Sequence, residues 1–207
     1  MSDAAEPGLW ARKRSDARIE ITDTALRLFA ERGFDATTID HIVAEVGISR
    51  RSFFRYFGTK EDIVFGDLAA VGLALADALE AQPLSVLPWD ALRAAFLTLR
   101  PDQKSAARDL EVQLLLRTSA SLRARHMEKH QQWLVLLVPN VARRLLSARS
   151  PESNATLAPD AATHAAAHAL VSAMLACLDS AFTIWAERGG DGDLVELYDA
   201  AVEAVRG

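Results

Sequence analysis

The sequence predicts an all-α protein, with an N-terminal three-helix head built around a helix-turn-helix and a larger helical bundle behind it. Three observations carry this. Apolar residues recur at three- and four-residue steps through almost every segment, and no alternating, turn-punctuated strand pattern competes. Two short apolar stripes flank Gly47-Ile48-Ser49, a connection brief enough to set two helices at a steep angle. Half of the 207 residues are hydrophobic, which suits a buried core and not a disordered chain.

In chain order, residues 1 to 9 contain Pro7 and Gly8 with no periodic pattern and read as a mobile tail. A helix is expected from about Asp16 to Arg32, because Ile21, Ala25, Leu28 and Phe29 fall on one face; Gly33 ends it and Phe34 plugs the junction. Thr37 followed by Asp40 resembles a capping box for a second helix, whose inward stripe is Ile39, Ile42, Val43 and Val46. Gly47 supplies a left-handed stop, and Ser49 offers the next N-cap. In the third helix Phe53 and Phe57, at i and i+4, point to the core. The opposite face carries Arg50, Arg51, Ser52, Phe54, Arg55 and Tyr56: three cations, two hydroxyls and an aromatic, with no acid. Arg forks onto guanine edges and hydroxyls meet backbone or base, so this stretch reads as a DNA-reading device. Arg12, Lys13 and Arg14, placed ahead of the first helix, suit an arm reaching a minor groove or flanking phosphates; a solvated cationic helix start accounts for them equally.

The run from Gly33-Phe34 through Thr37-Thr38, Val46-Gly47-Ile48-Ser49 and Phe53-Phe54-Arg55-Tyr56-Phe57 to Lys60-Glu61 resembles the N-terminal domain of TetR/AcrR-family transcriptional regulators, over roughly residues 12 to 66. The resemblance implies an all-helical homodimer whose second short helix enters the major groove and whose C-terminal domain binds a ligand that releases the DNA. By position it implies that Thr38, Tyr56 and Lys60 hold phosphates, while Arg50, Arg51, Ser52 and Phe54 face bases or adjoining backbone.

The net charge of −5 divides unevenly: residues 1 to 60 hold 10 Lys/Arg against 9 Asp/Glu, residues 61 to 207 hold 13 against 19. A basic face on an acidic remainder implies local, salt-sensitive DNA binding without general polyanion affinity. No cationic n-region precedes an apolar stretch at the N-terminus, so a cytoplasmic protein is expected. The longest uncharged apolar run, Ala169 to Leu178, is about half a bilayer span, and no membrane partner is expected. Cys177 is the single cysteine and sits among Ala and Leu, which suits a buried inert thiol.

After Gly58, Thr59 can cap one long helix running from Lys60 to about Ala81, the only covalent bridge from the head to the remainder. Further helices are expected at about Trp89 to Leu99, Lys104 to Arg117, Leu122 to Leu146 with a kink or break at Pro139, and Asp160 to Arg188, which Gly189-Gly190 ends. Residues 147 to 158 read as a loop. Asp193 caps a last helix with two apolar faces, more than one chain needs to bury; the resemblance implies that the last two helices form a dimer interface. The expected domains are residues 1 to 60, a helix-turn-helix DNA-binding domain with a basic arm, and 61 to 207, a helical effector-binding and dimerisation domain.

An effector pocket is expected among the middle helices, with Phe96, Leu114, Met127, Trp133, Leu134, Leu137, Phe182 and Trp185 as wall residues suiting an apolar or aromatic molecule; each would serve equally as core. Arg117, Arg123 and Arg125 would meet a carboxylate or phosphate head, or water. His126/His130 and His164/His168 are i, i+4 pairs, a spacing that can hold a metal. Neither pair carries the Glu of H-E-x-x-H, so no metal and no cofactor are expected. No phosphate loop, nucleophile elbow or catalytic carboxylate pair is present, so no enzyme is expected. The function expected is a ligand-responsive repressor that binds palindromic double-stranded DNA as a homodimer; the alternative is a helical small-molecule-binding protein whose helix-turn-helix does not bind DNA.

Overall fold

A computed structural model describes residues 9–98, 106–149 and 159–207. Among them are ten α-helices and no strand. They are α1 (Leu9–Arg32), α2 (Ile39–Val46), α3 (Arg50–Phe54), α4 (Glu61–Phe65), α5 (Leu68–Glu80), α6 (Pro88–Thr98), α7 (Ala106–Thr118), α8 (Ala120–Arg149), α9 (Ala161–Glu187) and α10 (Leu194–Arg206). The expected tail and most of the expected loop at 147 to 158 lie outside the described residues.

The chain divides into two compact units. The first comprises residues up to Gly66 together with Leu115–Arg123, the second Asp67–Leu114 with Ala124–Gly207. The chain therefore passes between the units three times, where a single bridge was expected. The reason lies at the α7–α8 junction: the Ser119 and Ser121 hydroxyls both donate to Asp35 Oδ1, at 2.9 and 3.1 Å, and Leu122 is fully buried. Those contacts are 84 and 86 residues apart in sequence, beyond any periodicity.

In the first unit Ile21, Ala25, Leu28, Phe29, Phe34, Ile42, Phe53 and Ile63 form the core. The Phe29 and Phe34 rings lie 4.7 Å apart, fixing the corner after Gly33, whose φ of 83° needs no Cβ. The one long helix expected after Thr59 is two helices. Thr59 and Asp62 cap each other reciprocally, but Gly66 takes φ 68° and ψ −149°, which breaks the ladder, and Asp67 starts α5 by accepting from Ala70 N–H at 2.9 Å.

In the second unit a core of Leu75, Leu79, Leu92, Leu137, Val141, Val171 and Met174 joins α5, α6, α8 and α9, and Leu194 and Tyr198 add α10 to it. Asp160 caps α9, and Asp193 caps α10 as expected. Pro139 does not break α8, which continues through it. Pro139 and Val135 are both exposed, so water can satisfy the carbonyl that loses its partner. By length and composition α9 is apolar enough to cross a membrane, a property that the shorter Ala169 to Leu178 run did not suggest; here it is a core helix burying Val171, Met174, Leu175 and Leu178. Cys177 is buried among them, and burial raises its thiol pKa, consistent with an inert packing role.

Gly72 is where α5 meets Trp133. A Cβ there would lie 2.7 Å from both Trp133 Cδ1 and Nε1, and the indole N–H is held by Leu68 C=O at 3.3 Å. Gly72→Ala is therefore expected to destabilise: overpacking of about 1 to 3 kcal/mol outweighs the roughly 0.5 to 1 kcal/mol that alanine gains inside a helix. A denaturation midpoint that rises, as propensity alone requires, would contradict this packing.

Candidate nucleic-acid interface

The surface expected to read DNA is built on two capped helices. The α2 N-cap is Thr38, not Thr37: Thr38 Oγ1 accepts from His41 N–H at 3.2 Å, and His41 Nδ1 accepts from Thr38 N–H at 3.3 Å. Thr37 is instead fully buried and donates its hydroxyl to Gly33 C=O at 2.8 Å. The helix starts one residue later than Thr37 and Asp40 suggested because Thr37 is needed to close the corner. Gly47 ends α2 at φ 75°, and Ser49 Oγ accepts from Ser52 N–H at 3.1 Å to start α3.

From this frame Arg50, Arg51, Phe54 and Arg55 project as exposed side chains, with Ser52 and Tyr56 half-buried. Phe53 is fully buried and its ring packs on Phe57 at 5.6 Å, so the inward and outward residues separate as expected. Arg55 Nη2 donates to Tyr56 Oη at 3.2 Å with its guanidinium 5.1 Å over the ring, which steadies the phenol. The face is free of acids only within its own helix. Asp40 Oδ1, from α2, lies 3.2 Å from Arg50 Nε, both side chains 62% exposed, a pair loose enough to open for a phosphate or base.

Lys60 differs from a simple phosphate ligand. Its Nζ donates to Phe34 C=O at 2.8 Å and Thr37 C=O at 3.1 Å and sits 4.2 Å from the Phe34 ring centroid. It thus ties the α1–α2 corner to the chain after α3, a role 26 residues from its partner that no local signal announced. Arg14 is exposed, but α1 begins at Leu9, so Arg12, Lys13 and Arg14 are part of a helix and not an arm ahead of it. The side chains of Arg12 and Lys13 lie outside the described residues.

The residues expected to line an effector pocket differ widely in burial. Leu137 is fully buried and Leu134 and Trp185 nearly so, all in the second unit's core. Phe96, Trp133 and Phe182 are half-buried against that core, while Leu114 and Met127 are 48% and 55% exposed. Arg123 Nη1 donates to Leu116 and Arg117 carbonyls, capping α7, and Arg125 pairs with Glu128 at 3.0 Å. An open hollow in the second unit is lined by Pro159, Asp160, His164 and His168, none of them an expected wall residue.

The His126/His130 pair has a neighbour that sequence spacing missed. Asp179 Oδ1, from α9, lies 2.8 Å from His126 Nε2 and 3.5 Å from His130 Nε2, and the imidazole centroids are 4.6 Å apart. Burial pushes His130 down to about 4, against the opposing pull of Asp179, so its ring is neutral at pH 7. Lys129 Nζ lies 3.1 Å from His126 Nδ1 and 4.8 Å from the Trp133 ring centroid, and burial pushes its ammonium down to about 8.

Residues 21–65 match the family described as bacterial regulatory proteins, tetR family. A Mycobacterium tuberculosis protein named as a candidate mycofactocin biosynthesis transcriptional regulator, MftR, is 32% identical over 134 residues, which cover 64% of this chain and 68% of the relative. The HTH-type transcriptional regulator TcmR of Streptomyces glaucescens is 36% identical over 90 residues, 44% of this chain and 40% of its own. The solved structure of the transcriptional regulator FadR from Bacillus subtilis, in complex with stearoyl-CoA, is similar in fold, with a TM-score of 0.54 at 19% identity over 89% of this chain and 95% of that one.

Proposed function

Because the chain belongs to the tetR family of bacterial regulatory proteins, and is on that ground a DNA-binding transcriptional regulator, we propose that it acts as a repressor on a palindromic operator. The observation that carries this is the α3 face, where Arg50, Arg51 and Arg55 stand exposed on a helix whose start and corner are closed by Ser49 and Gly47. The regulator works in the cytoplasm as a homodimer, since two-fold symmetry places two α3 helices in successive major grooves, about 34 to 36 Å apart. The dimer forms through α9 and α10, supported by the exposed small residues Ala165, Ala169, Ala176 and Ser180 and by Ile184 and Val205, 41% and 57% exposed.

A small apolar or amphipathic effector binds the second unit and shifts the population toward dimers whose reading heads are wrongly spaced. Exposed Leu114 and Met127 and half-buried Phe96, Trp133 and Phe182 support a ligand of that class. In DNA recognition Arg50, Arg51, Ser52 and Phe54 face bases or adjoining backbone, Thr38, Arg55 and Tyr56 hold phosphates, and Lys60 holds the corner that presents them.

The test is selection of random duplexes followed by alanine substitution. An enriched palindrome is expected. Arg50→Ala and Arg51→Ala should each weaken that sequence by about 1 to 3 kcal/mol where the side chain reads a base, whereas Lys60→Ala should weaken all duplexes alike. No enriched sequence, with all three variants at wild-type affinity, would leave a helical small-molecule-binding protein as the better account.

A further inference from the structure

Neither histidine pair has an acid at H-E-x-x-H spacing, so the sequence predicts no metal. The fold supplies one from another helix. His126 and His130, one turn apart on α8, and Asp179 on α9 each offer a donor atom, all within 4.8 Å of one another. In a tetrahedral site with metal–donor bonds of about 2.0 to 2.2 Å, donors stand about 3.3 to 3.6 Å apart. The contacts to Asp179 Oδ1 are 2.8 and 3.5 Å, and the two imidazole donors lie within 4.8 Å of each other, so side-chain movements of up to about an ångström bring all three to one ion. Asp179 is 38% exposed along its side chain and can make them.

One carboxylate oxygen between two imidazoles satisfies them unequally. His126 takes the 2.8 Å bond, while the 3.5 Å contact left to His130, a residue only 8% exposed, is too long for a good hydrogen bond. A cation at the shared point would bond all three donors at once. We propose that His126, His130 and Asp179 form a binding site for a divalent transition metal of the zinc class, with one coordination position left for water or an anionic ligand. Two imidazoles and one carboxylate suit Zn²⁺, Co²⁺ or Ni²⁺ better than Mg²⁺ or Ca²⁺, which take oxygen donors. The Lys129 ammonium beside His126 weakens the site by charge repulsion without closing it.

The test is titration of chelator-stripped, full-length protein with Co²⁺, whose visible absorption reports low-symmetry nitrogen and oxygen ligation. One Co²⁺ per chain, displaced by Zn²⁺, is expected. His126→Gln and Asp179→Asn should each weaken binding by more than the roughly 10- to 100-fold that outer-shell changes cost. Lys129→Met should tighten it, an outcome that a purely structural hydrogen-bond network does not produce. His164→Gln/His168→Gln, the exposed pair elsewhere on α9, should leave the titration unchanged. No absorption band in folded wild-type protein would overturn the assignment, as would a band that survives His126→Gln and Asp179→Asn but disappears with the His164/His168 variant. The readout is independent of DNA binding, so it stands or falls apart from the regulator's operator.

Discussion

Arg144→Met is expected to destabilise the protein by about 1.5 to 3 kcal/mol, the range for hydrogen bonds made by a charged group to buried neutral acceptors. Arg144 is only 1% exposed, the largest fully buried side chain among the described residues. Its guanidinium donates from Nη1 to Pro83 C=O at 2.6 Å, from Nη2 to Leu79 and Gln82 C=O at 2.6 and 2.8 Å, and from Nε to Asn140 Oδ1 at 2.8 Å. The three carbonyls lie at and just beyond the C-terminal end of α5, where the helix leaves acceptors without intrahelical partners and carries the negative end of its dipole. Asn140 and Arg143 in turn donate to Glu80, so α8 holds the end of α5 on two sides. Burial lowers the Arg144 pKa from the usual guanidinium value, with Arg143 adding and Glu80 opposing, but an arginine remains charged throughout the accessible range. Methionine fills similar volume and donates nothing, so Gln82 C=O loses its guanidinium donor, while Leu79 and Pro83 C=O are left with the N–H groups of Gln82 and Val86. Arg144→Lys should recover only part of the loss, because an ammonium lacks the planar fork. Urea denaturation reads the effect as a lower midpoint at unchanged slope. A cost under about 1 kcal/mol for Arg144→Met would mean that water or backbone movement satisfies the α5 end instead.

Phe53→Ala should cost about 3 to 5 kcal/mol within the first unit, the range for deleting a buried aromatic ring, and should abolish operator binding without touching a DNA-facing group. Phe53 is fully buried and meets Phe57 at 5.6 Å and Phe54 edge-on at 5.5 Å. α3 spans five residues and cannot persist without this anchor, since so short a helix is unstable alone. Phe54→Ala is the matched contrast. Phe54 is 49% exposed, so its loss should change stability by about 0.5 kcal/mol or less while still weakening the operator complex. Hydrogen exchange would place the Phe53→Ala defect in α2 and α3, with protection in the second unit kept. If Phe53→Ala binds its operator like the wild type, the division into anchoring and reading faces is mistaken.

Much of the fold was legible because its signals are local. Gly33, Gly47 and Gly189-Gly190 end helices at positive φ, and Ser49, Asp160 and Asp193 start them with side-chain caps, all within three residues of the groups they serve. Where two local signals compete, packing decides between them. Thr37 had the hydroxyl of a cap, yet its burial under the corner passed that role to Thr38. Gly66 could have continued a helix, and a left-handed conformation made it a break. Pro139 was expected to interrupt α8, but an exposed turn tolerates the lost bond.

By itself the sequence determined the all-helical class, the head with its Gly-Ile-Ser turn, and the separation of Phe53 from the arginines, because a 3.6-residue period and short-range caps are written along the chain. Tertiary structure alone decided that Lys60 closes the α1–α2 corner, that Arg144 caps α5, and that Asp179 joins His126 and His130. Those partners are 26, 65 and 53 residues apart. Periodicity says which face of a helix is buried, whereas pairing depends on which other helix lies against that face and at what register, and only the packed chain determines that.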